Sequence, residues 1–445
     1  MLSIEFICYW ASNNVSLLNM EIYRGLVQKL VERAKTEAVV IVEGARATGK
    51  TTLAEYLVDS GIYKKYVSLS DETTYQAAKA SPKDFIQQLE FGTIIDEAQL
   101  VEDITVPIKS VIDKNSKPGR FLLTGSTRLL RTNLGGSDPL AGRTLPPLPL
   151  YPLTIREREG EILKTTANKF NSVSVQNIGS FIDVLWDESA SLSSSTDLDL
   201  EILKKYMTSG SMPGFLSINN DEIRELRYEQ YLRGSINLPT FSGRDLTLLE
   251  SFYRYLAGST ATIVNFEKFS RTNGIQGSTA KAYLSLFIEA MLIVSLPGWR
   301  LRQPKVELQS PKLHVFDLGV ATSLGGLNPH ASSEEFGQLL ETLVITDLLS
   351  QASWSNNKVD FFHWRYKQNH EIDLLLVNNK NQKKQIICVE IKSNSTVTNN
   401  DFLHIRKFRE LYPNDFFKGI VFYTGKDLFP FGEDLWAVPV GCLLQ

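Results

Sequence analysis

The segment GARATGKT has the residue types and the spacing that can bind a chain of phosphates. It runs from Gly44 to Thr51 and fits the pattern G-x-x-x-x-G-K-[ST]. Glycines let successive backbone N–H groups point at phosphate oxygens, and Lys50 can place a cation beside the β and γ phosphates. The Thr51 hydroxyl can ligate Mg²⁺, and the following helix offers the positive end of its dipole. The pattern predicts a nucleotide site formed by Gly44, Ala45, Arg46, Ala47, Thr48, Gly49, Lys50, Thr51 and Thr52.

The acidic pair in TIIDEA is a second group of candidate residues. Two apolar β-branched residues lead to Asp96 and Glu97, so we expect the pair at the carboxyl end of a strand that neighbours the phosphate-binding loop. There Asp96 can hold the Mg²⁺ shell, and Glu97 can polarise water for attack on the γ phosphate. The alternative is a strand that ends in a solvated acidic turn. The phosphate-binding loop upstream favours the catalytic interpretation.

Polar and basic residues after the next strand extend the candidate site. In FLLTGSTR, Thr124 or Ser126 follows an apolar strand and is a candidate sensor of the γ phosphate. A turn that caps the strand is the alternative. Arg143 is the preferred candidate for a charge-neutralising arginine, and Arg128 and Arg131 are its rivals.

Another set of acidic residues lies in the C-terminal part of the chain. HEIDLLLV places Asp373 within a strand, and IICVEIK places Glu390 and Lys392 on one face of the next strand. Such a strand pair can bring both carboxylates to one divalent ion with the lysine beside them. Glu341 is a candidate fourth member, because a carboxylate on an apolar helix is costly to bury unless it is paired. The alternative places Glu390 and Lys392 on a solvated strand face.

The elements that must position the first site alternate between strand and helix. This alternation predicts a parallel sheet with helices on both faces over roughly residues 21–150. The segment 139–153 is dense in proline and is expected to be an extended connector, neither a helix nor a central strand. The strands are predicted in AVVIVE, KKYVSLSD, GTIIDEA and RFLLTGS.

The rest of the chain changes character twice. Residues 165–198 are polar and serine-rich, which predicts a loop or an insertion. Between 200 and 300 short helices are expected, including a helix, a turn at Asn273-Gly274 and a second helix capped by Ser278, the order of a winged helix-turn-helix. From 310 to 445 strands return with helices between them.

Composition limits the classes to which the chain can belong. Its 445 residues correspond to about three domains, and 43% hydrophobic with 22% charged residues is typical of globular proteins. The net charge of −3 excludes a generally basic coat for nucleic acid. Three scattered cysteines, Cys8, Cys388 and Cys442, favour a reducing, cytoplasmic setting over a disulfide framework. The sequence has no run of about 18 apolar residues, so we expect no membrane-spanning helix. The apolar start lacks a basic leader, and Met20 is an alternative start.

One local stretch departs from the acidic balance. Residues 261–312 contain three acids and seven basic residues, a local net charge of +4. A basic recognition helix or wing here could contact DNA phosphates, and a module that only packs the other domains together is the alternative. The basic residues are Lys268, Arg271, Lys281, Arg300, Arg302, Lys305 and Lys312.

Several motifs resemble a known family when taken together. MEIYRGL, GARATGKTTL, IIDEAQ, LLTGS and AGRTLPPLPLYPLTIRE are similar to the prokaryotic AAA-type P-loop ATPases that carry a C-terminal domain of unknown function. The resemblance covers nearly the whole chain and implies a P-loop domain, a winged-helix section and a restriction-endonuclease-like domain. It implies nucleotide and Mg²⁺ roles for Lys50, Thr51, Asp96 and Glu97, and it places Arg143 at the family's Gly-Arg position.

The resemblance also gives the second acidic cluster a meaning. The spacing of Asp373, Glu390 and Lys392 resembles the PD-(D/E)xK nuclease pattern, in which two carboxylates bind Mg²⁺ and the lysine supports the nucleophile. The proline-aspartate pair that begins the nuclease pattern is absent here. The chain also departs from the ATPase family at RGSI (233–236), which lacks the acid expected after its arginine.

The resemblance implies an α/β chain with five parts. We expect an N-terminal extension (1–20), a P-loop AAA-type domain (21–155), a helical lid with a polar insertion (156–240), a winged-helix-like module (241–305) and a nuclease-like domain (306–445). The leading prediction is an ATP- and Mg²⁺-dependent ATPase whose nucleotide state controls a DNA-facing nuclease-like domain. The alternative is a switch that binds ATP and a protein partner with an inactive nuclease-like fold.

Overall fold

The computed structural model describes residues 22–126, 139–158, 180–187, 198–299 and 310–444, apart from 368, 381 and 382. The N-terminal extension and most of the polar insertion lie outside these residues. The described chain divides into two compact units. The first contains 22–44, 49–126, 139–150 and 157–158, and the second contains 45–48, 151–156 and the described residues from 180 onwards.

In the first unit, strands alternate with helices as the sequence predicts. The described strands form a five-stranded parallel sheet in the order β2-β3-β4-β1-β5. The elements are α1 (Leu26–Ala34), β1 (Val39–Glu43), α2 (Lys50–Asp59), β2 (Lys65–Ser68), α3 (Glu72–Ala80), α4 (Pro82–Gln88), β3 (Thr93–Asp96), α5 (Thr105–Lys114), β4 (Phe121–Gly125) and β5 (Leu148–Pro149). Strands β1, β3 and β4 are buried along their whole length, which explains the apolar residues at their centres.

One expectation for this unit is wrong. The strand of Asp96 does not neighbour β1, because β4 lies between β3 and β1. The proline-dense connector forms neither a helix nor a central strand, and part of it is the edge strand β5, which pairs with β1 through Leu148. Proline is tolerated there because an edge strand leaves one side of its backbone without a ladder partner.

The second unit begins with helices and a small sheet. Its first elements are α6 (Phe181–Trp186), α7 (Leu200–Ser209), α8 (Asp221–Ile236), α9 (Leu246–Gly258), β6 (Thr262–Ile263), α10 (Phe266–Asn273), α11 (Gly277–Glu289), β7 (Ile293–Leu296) and β8 (Lys312–Val315). The strands pair antiparallel in the order β6-β8-β7. The expectation of a polar loop over 165–198 is wrong at α6, which buries Phe181, Ile182 and Leu185. The residues on both sides of this short apolar run are polar and serine-rich, so the composition of the whole segment does not indicate a helix.

Helices α10 and α11 are joined by a short turn, in the order that the sequence predicts. Gly274 ends α10 with φ +63°, a left-handed conformation that glycine adopts without a Cβ clash. The expected cap at Ser278 is wrong, since Gln276 is the N-cap residue and α11 begins at Gly277. Ser278 lies inside the first turn. The broader assignment to the winged-helix class stays a prediction.

A larger mixed sheet completes the second unit. The remaining elements are α12 (Leu318–Ser323), α13 (Ser333–Ala352), β9 (Val359–Tyr366), β10 (His370–Lys380), β11 (Lys383–Lys392), α14 (Leu403–Leu411), β12 (Phe416–Tyr423), β13 (Phe429–Gly432) and β14 (Leu435–Pro439). The order is β13-β14-β12-β11-β10-β9, with β11, β12 and β14 parallel. Apolar side chains of α13 pack into the core beside β11. Within the described residues, no helix has the length and apolar character needed to cross a bilayer.

A buried ion pair anchors the start of the first unit. Glu157 Oε1 accepts hydrogen bonds from Arg24 Nε at 3.2 Å and from the Gly25 backbone N–H at 2.8 Å. Both side chains are almost fully buried. An unpaired buried charge is costly, so this contact fixes the segment before α1.

We expect Glu157→Ala to lower the free energy of unfolding by about 3 kcal/mol, because the change removes a buried carboxylate that accepts hydrogen bonds from both Arg24 and the Gly25 N–H. Urea unfolding measures the change. Asp113→Ala is the matched control, because Asp113 pairs with Arg143 in solvent and should leave the midpoint unchanged. Equal midpoints for Glu157→Ala and the wild type would contradict the prediction.

Candidate nucleotide site

The phosphate-binding loop takes its shape from two left-handed residues. Gly49 has φ +89° and ψ +24° and is the N-cap of α2. Ala47 has φ +63°, a conformation that side-chain-bearing residues rarely adopt. Gly44 does not have positive φ, so the second left-handed position belongs to Ala47 and not to the first glycine of the motif. Strain of this kind persists where the surrounding structure imposes it, often at binding sites.

The side chains of the loop are held by its own backbone. Lys50 is buried, and its Nζ donates to the Gly44 carbonyl at 2.9 Å. Thr48 Oγ1 donates to the Ala45 carbonyl at 2.9 Å. The Arg46 side chain extends away from the loop, and its Nη1 donates to the Gly234 carbonyl of α8 at 2.7 Å. Lys50 therefore stays at the centre of the loop, where its charge can face a phosphate.

Asp96 lies where the loop and the sheet meet. Its Oδ2 accepts hydrogen bonds from Thr51 Oγ1 at 2.9 Å and from Tyr66 Oη at 2.7 Å. Its Oδ1 accepts from Thr124 Oγ1. The structure thus brings together Thr51, Asp96 and Thr124, although β4 separates β3 from β1. Thr51 reaches Asp96 because it stands in the first turn of α2.

Sequence reasoning missed Tyr66. It lies two residues before Ser68, which is opposite Asp96 in the parallel register, so Tyr66 and Ser68 share one face of β2. Burial and the hydrogen bond to Asp96 raise the pKa of Tyr66 to about 12. The hydroxyl therefore remains a donor to Asp96 at neutral pH. A tyrosine in the predicted strand KKYVSLSD was the available sign.

Glu97 is held beside the same strand end. Its carboxylate accepts hydrogen bonds from Ser126 Oγ, at 3.0 Å and 3.1 Å to the two oxygens, and from Gln99 Nε2. Its backbone is left-handed, with φ +56°, and its N–H donates to Thr124 Oγ1 at 3.2 Å. Ser126 contacts the acid that is expected to orient water, and Gln99 is a partner that the sequence did not predict.

Of the three candidate arginines, Arg143 lies among the described residues. Arg143 Nε forms an exposed ion pair with Asp113 Oδ1 at 2.6 Å. Its rivals Arg128 and Arg131 lie outside the described residues. Thr52, the last residue of the predicted site, is exposed on α2.

In the second unit, the four residues of the nuclease-like pattern lie in one cluster, in which Glu390 is buried and Lys392 is partly exposed. Lys392 Nζ donates to Glu390 Oε2 at 2.8 Å, and Asp373 Oδ2 accepts the Ile391 backbone N–H at 3.0 Å. Glu390 is only 2% exposed, so the solvated strand face is excluded for this residue. Glu341 joins them through a shared partner, Lys312.

Two members of this cluster, Lys312 and Glu371, were not predicted from the sequence. Lys312, counted there among basic residues of a DNA-facing surface, is buried among carboxylates. Glu371 contacts the same ammonium at 3.3 Å and pairs with Arg365. Lys312 was misjudged because local charge counting does not show which way a strand residue points.

The electrostatics of the cluster follow from burial. Burial raises the pKa of Glu390 to about 8, with a further increase from Asp373 and an opposing effect from Lys392. Burial also raises the pKa of Glu341 well above its usual value. Both carboxyl groups therefore hold protons more tightly than solvated glutamates do. With Lys312 in its place among these carboxylates, no group of three or more His, Cys, Asp or Glu side chains in the described residues is arranged to hold a metal ion.

Three family models match separate parts of the chain. One described as an AAA domain matches residues 36–159, which contain the loop and the Asp96 network. Models described as domains of unknown function match residues 200–331 (DUF8612) and 336–443 (DUF4143). The AAA match supports an AAA-type P-loop ATPase and nucleotide binding, and the C-terminal match is consistent with the domain of unknown function expected there.

The relatives and solved structures that match this chain share little sequence identity with it. Uncharacterized proteins of Mycobacterium bovis and Mycobacterium tuberculosis are each 23% identical over 421 residues, covering 91% of this chain and 81% of theirs. A Walker-type ATPase of Pyrococcus abyssi is 16% identical, with a TM-score of 0.39 over 67% of this chain and 93% of that one. A RuvB variant of Thermotoga maritima is 15% identical, with a TM-score of 0.30 over 66% and 92%.

We expect stability to fall as pH rises from about 5 to about 8, because folded Glu390 keeps its proton up to about pH 8 while the unfolded side chain loses it near 4.5. One such group contributes a slope of at most about 1.4 kcal/mol per pH unit. Urea unfolding at several pH values measures the slope. Glu390→Gln should flatten it, and Glu433→Gln, which removes an exposed carboxylate, should not. Parallel profiles for Glu390→Gln and wild type would contradict this assignment.

Proposed function

We propose that the chain is a Mg²⁺-dependent ATPase whose nucleotide state controls its C-terminal nuclease-like domain. The observation that carries the ATPase part is the contact between Thr51 of the phosphate-binding loop and Asp96 of the sheet. In nucleoside triphosphatases a hydroxyl and a carboxylate so arranged hold one Mg²⁺ between them. The AAA-domain match over the same residues supports this role.

Each neighbouring side chain then has a task in hydrolysis. Lys50 would neutralise the β and γ phosphates, and the N–H groups from Gly44 to Thr51 would cradle their oxygens. The metal would draw charge from the γ phosphate when bound. Glu97 would orient water, with Ser126 fixing its carboxylate. Thr124 donates to Asp96 and accepts from the Glu97 N–H, so it would link the metal side of the site to the water side.

Two arginines, Arg143 and Arg46, also have places in the proposal. Arg143 keeps its proposed role as the charge-neutralising arginine, because its pair with Asp113 is exposed and such pairs exchange at little cost. Control of the second unit by nucleotide would act through residues 45–48 of the loop, which belong to that unit. Within it, Arg46 donates a hydrogen bond to the Gly234 carbonyl of α8. A change in these loop residues on nucleotide binding would act on that helix.

We expect Glu97→Gln to abolish turnover while ATP binding remains, because the amide cannot take a proton from water but keeps the side-chain shape. Lys50→Ala should weaken ATP binding, since the phosphates lose their buried cation. Steady-state hydrolysis and equilibrium ATP binding measure the two effects. Glu72→Gln, an exposed change on α3, is the control.

The alternative is a nucleotide-dependent switch that binds a protein partner and hydrolyses ATP barely or not at all. Absence of turnover by the wild type, with or without duplex or single-stranded DNA, would favour it. Unchanged ATP affinity in Lys50→Ala would remove the nucleotide site from both models.

The DNA-facing part of the proposal has support in the second unit. Lys268, Arg271 and Lys281 are exposed on the helix-turn-helix formed by α10 and α11. Such cations bind phosphates by releasing counterions. Lys312 no longer belongs to this surface, and Arg300, Arg302 and Lys305 lie outside the described residues.

We expect Lys281→Glu to weaken DNA binding and to reduce its salt dependence, because a phosphate contact is replaced by repulsion. Fluorescence anisotropy with labelled duplex at several salt concentrations measures both. Lys79→Glu makes the same charge change on exposed α3 of the first unit and should have little effect. Equal losses in the two variants would indicate a general charge effect and not a DNA surface.

A further inference from the structure

Lys312 occupies the centre of the second acidic cluster. Its Nζ lies 2.7 Å from Glu341 Oε1, 3.2 Å from Asp373 Oδ1 and 3.3 Å from Glu371 Oε1. The three carboxylates come from α13 and β10, and Lys312 comes from β8. The lysine is only 5% exposed. One buried ammonium therefore contacts three acids from two other elements, of which Glu371 lies at the partly exposed rim.

The direction of this lysine is built into β8. Lys312 and His314 are two residues apart on the strand and share one face. His314 Nε2 lies 3.8 Å from Glu341 Oε1, so both side chains face the same carboxylate. Burial, with the nearby Lys312, lowers the pKa of His314 well below its usual value, which keeps the imidazole neutral. Lys312 is thus the cation that this face of β8 delivers.

The same point is where a nuclease-like domain would bind its divalent ion. Glu341 and Asp373 are two of the ligands expected from the sequence, and both direct an oxygen at the ammonium. Mg²⁺ requires oxygens at about 2.0–2.1 Å in an octahedral arrangement. A second cation a few ångströms from a buried ammonium would be repelled strongly in a medium of low dielectric constant. The donor set therefore does not fit a metal while Lys312 holds this position.

The remaining acid is compensated by another lysine. Glu390 pairs with Lys392 at 2.8 Å, and its Oε1 is buried without a hydrogen-bond partner among the described residues. At the rim, Arg365 pairs with Glu371 at 3.0 Å. Protein cations thus contact each of the four carboxylates Glu341, Glu371, Asp373 and Glu390.

We propose that Lys312 is a built-in cation that substitutes for the divalent ion and keeps the cluster free of metal. The C-terminal domain then retains a nuclease-like arrangement and binds its partner without Mg²⁺-dependent cleavage. This inference rests on the proposed nuclease-like character of the four residues and is independent of ATP hydrolysis. Removal of the ammonium should open a metal site, because three oxygens already point at one position.

The test measures Mn²⁺ binding to the full-length chain without nucleotide, by electron paramagnetic resonance. Wild type and Asp373→Asn should bind Mn²⁺ equally, because the cluster takes up none. Lys312→Met, which keeps the length of the side chain, should gain one site and at least about a tenfold higher affinity. The double variant Lys312→Met/Asp373→Asn should lose this gain.

Three results would overturn the inference. They are Mn²⁺ binding by the wild type that Asp373→Asn removes, a folded Lys312→Met variant without a new site, and a gain in Lys312→Met that survives Asp373→Asn. The comparison of wild type with Asp373→Asn stands even where Lys312→Met fails to fold. Absence of ATP turnover would end the ATPase proposal and leave all these readouts unchanged.

A cleavage assay gives an independent check on supercoiled DNA with Mg²⁺. The wild type should not nick. Nicking that disappears in Asp373→Ala would overturn the inference, because it requires a working metal site. Nicking that survives Asp373→Ala would remove Asp373 from the cleavage mechanism and would contradict a non-cleaving domain.

Discussion

A carboxylate withdrawn from water needs hydrogen-bond donors, and at Asp96 this requirement joins the parts of the nucleotide site. The side chain is 2% exposed and receives hydroxyl donors from Thr51 of α2, Tyr66 of β2 and Thr124 of β4. Each donor belongs to a different element, so the position of the acid depends on the register of the whole parallel sheet. The phosphate-binding loop and Asp96 are related through α2 and β4, and not by direct pairing of their strands.

The second acidic cluster meets the same requirement in another way. At Asp96 the donors that contact the acid are neutral hydroxyls, which leave its negative charge available to a metal ion. At Glu341 and Asp373 the facing group is the Lys312 ammonium, which forms an ion pair with both acids and places a positive charge where a metal would sit. Two sites built from similar acids therefore differ in chemistry because of the residues that face them. This contrast explains why we propose Mg²⁺ for the first unit and a metal-free cluster for the second.

Much of the fold could be predicted because its determinants are local. The loop between β1 and α2, the turn at Gly274 and the strands around Asp96 and Glu390 all follow from residue types within a few positions. Predictions were wrong where flanking composition masked a short element. Helix α6 lies in serine-rich sequence, which concealed its apolar residues. Ser278 was a suitable cap by type, but the backbone places Gln276 at the helix start.

Residue types and their spacing were sufficient to identify the candidate phosphate-binding loop and the candidate acids, because a loop motif or the alternation of a strand involves consecutive residues. The partners of those acids follow from tertiary contacts. Tyr66 is 30 positions from Asp96, and Lys312 is 61 positions from Asp373. Whether such a residue points at a carboxylate or at solvent depends on strand pairing and helix packing across the unit, which local patterns do not encode.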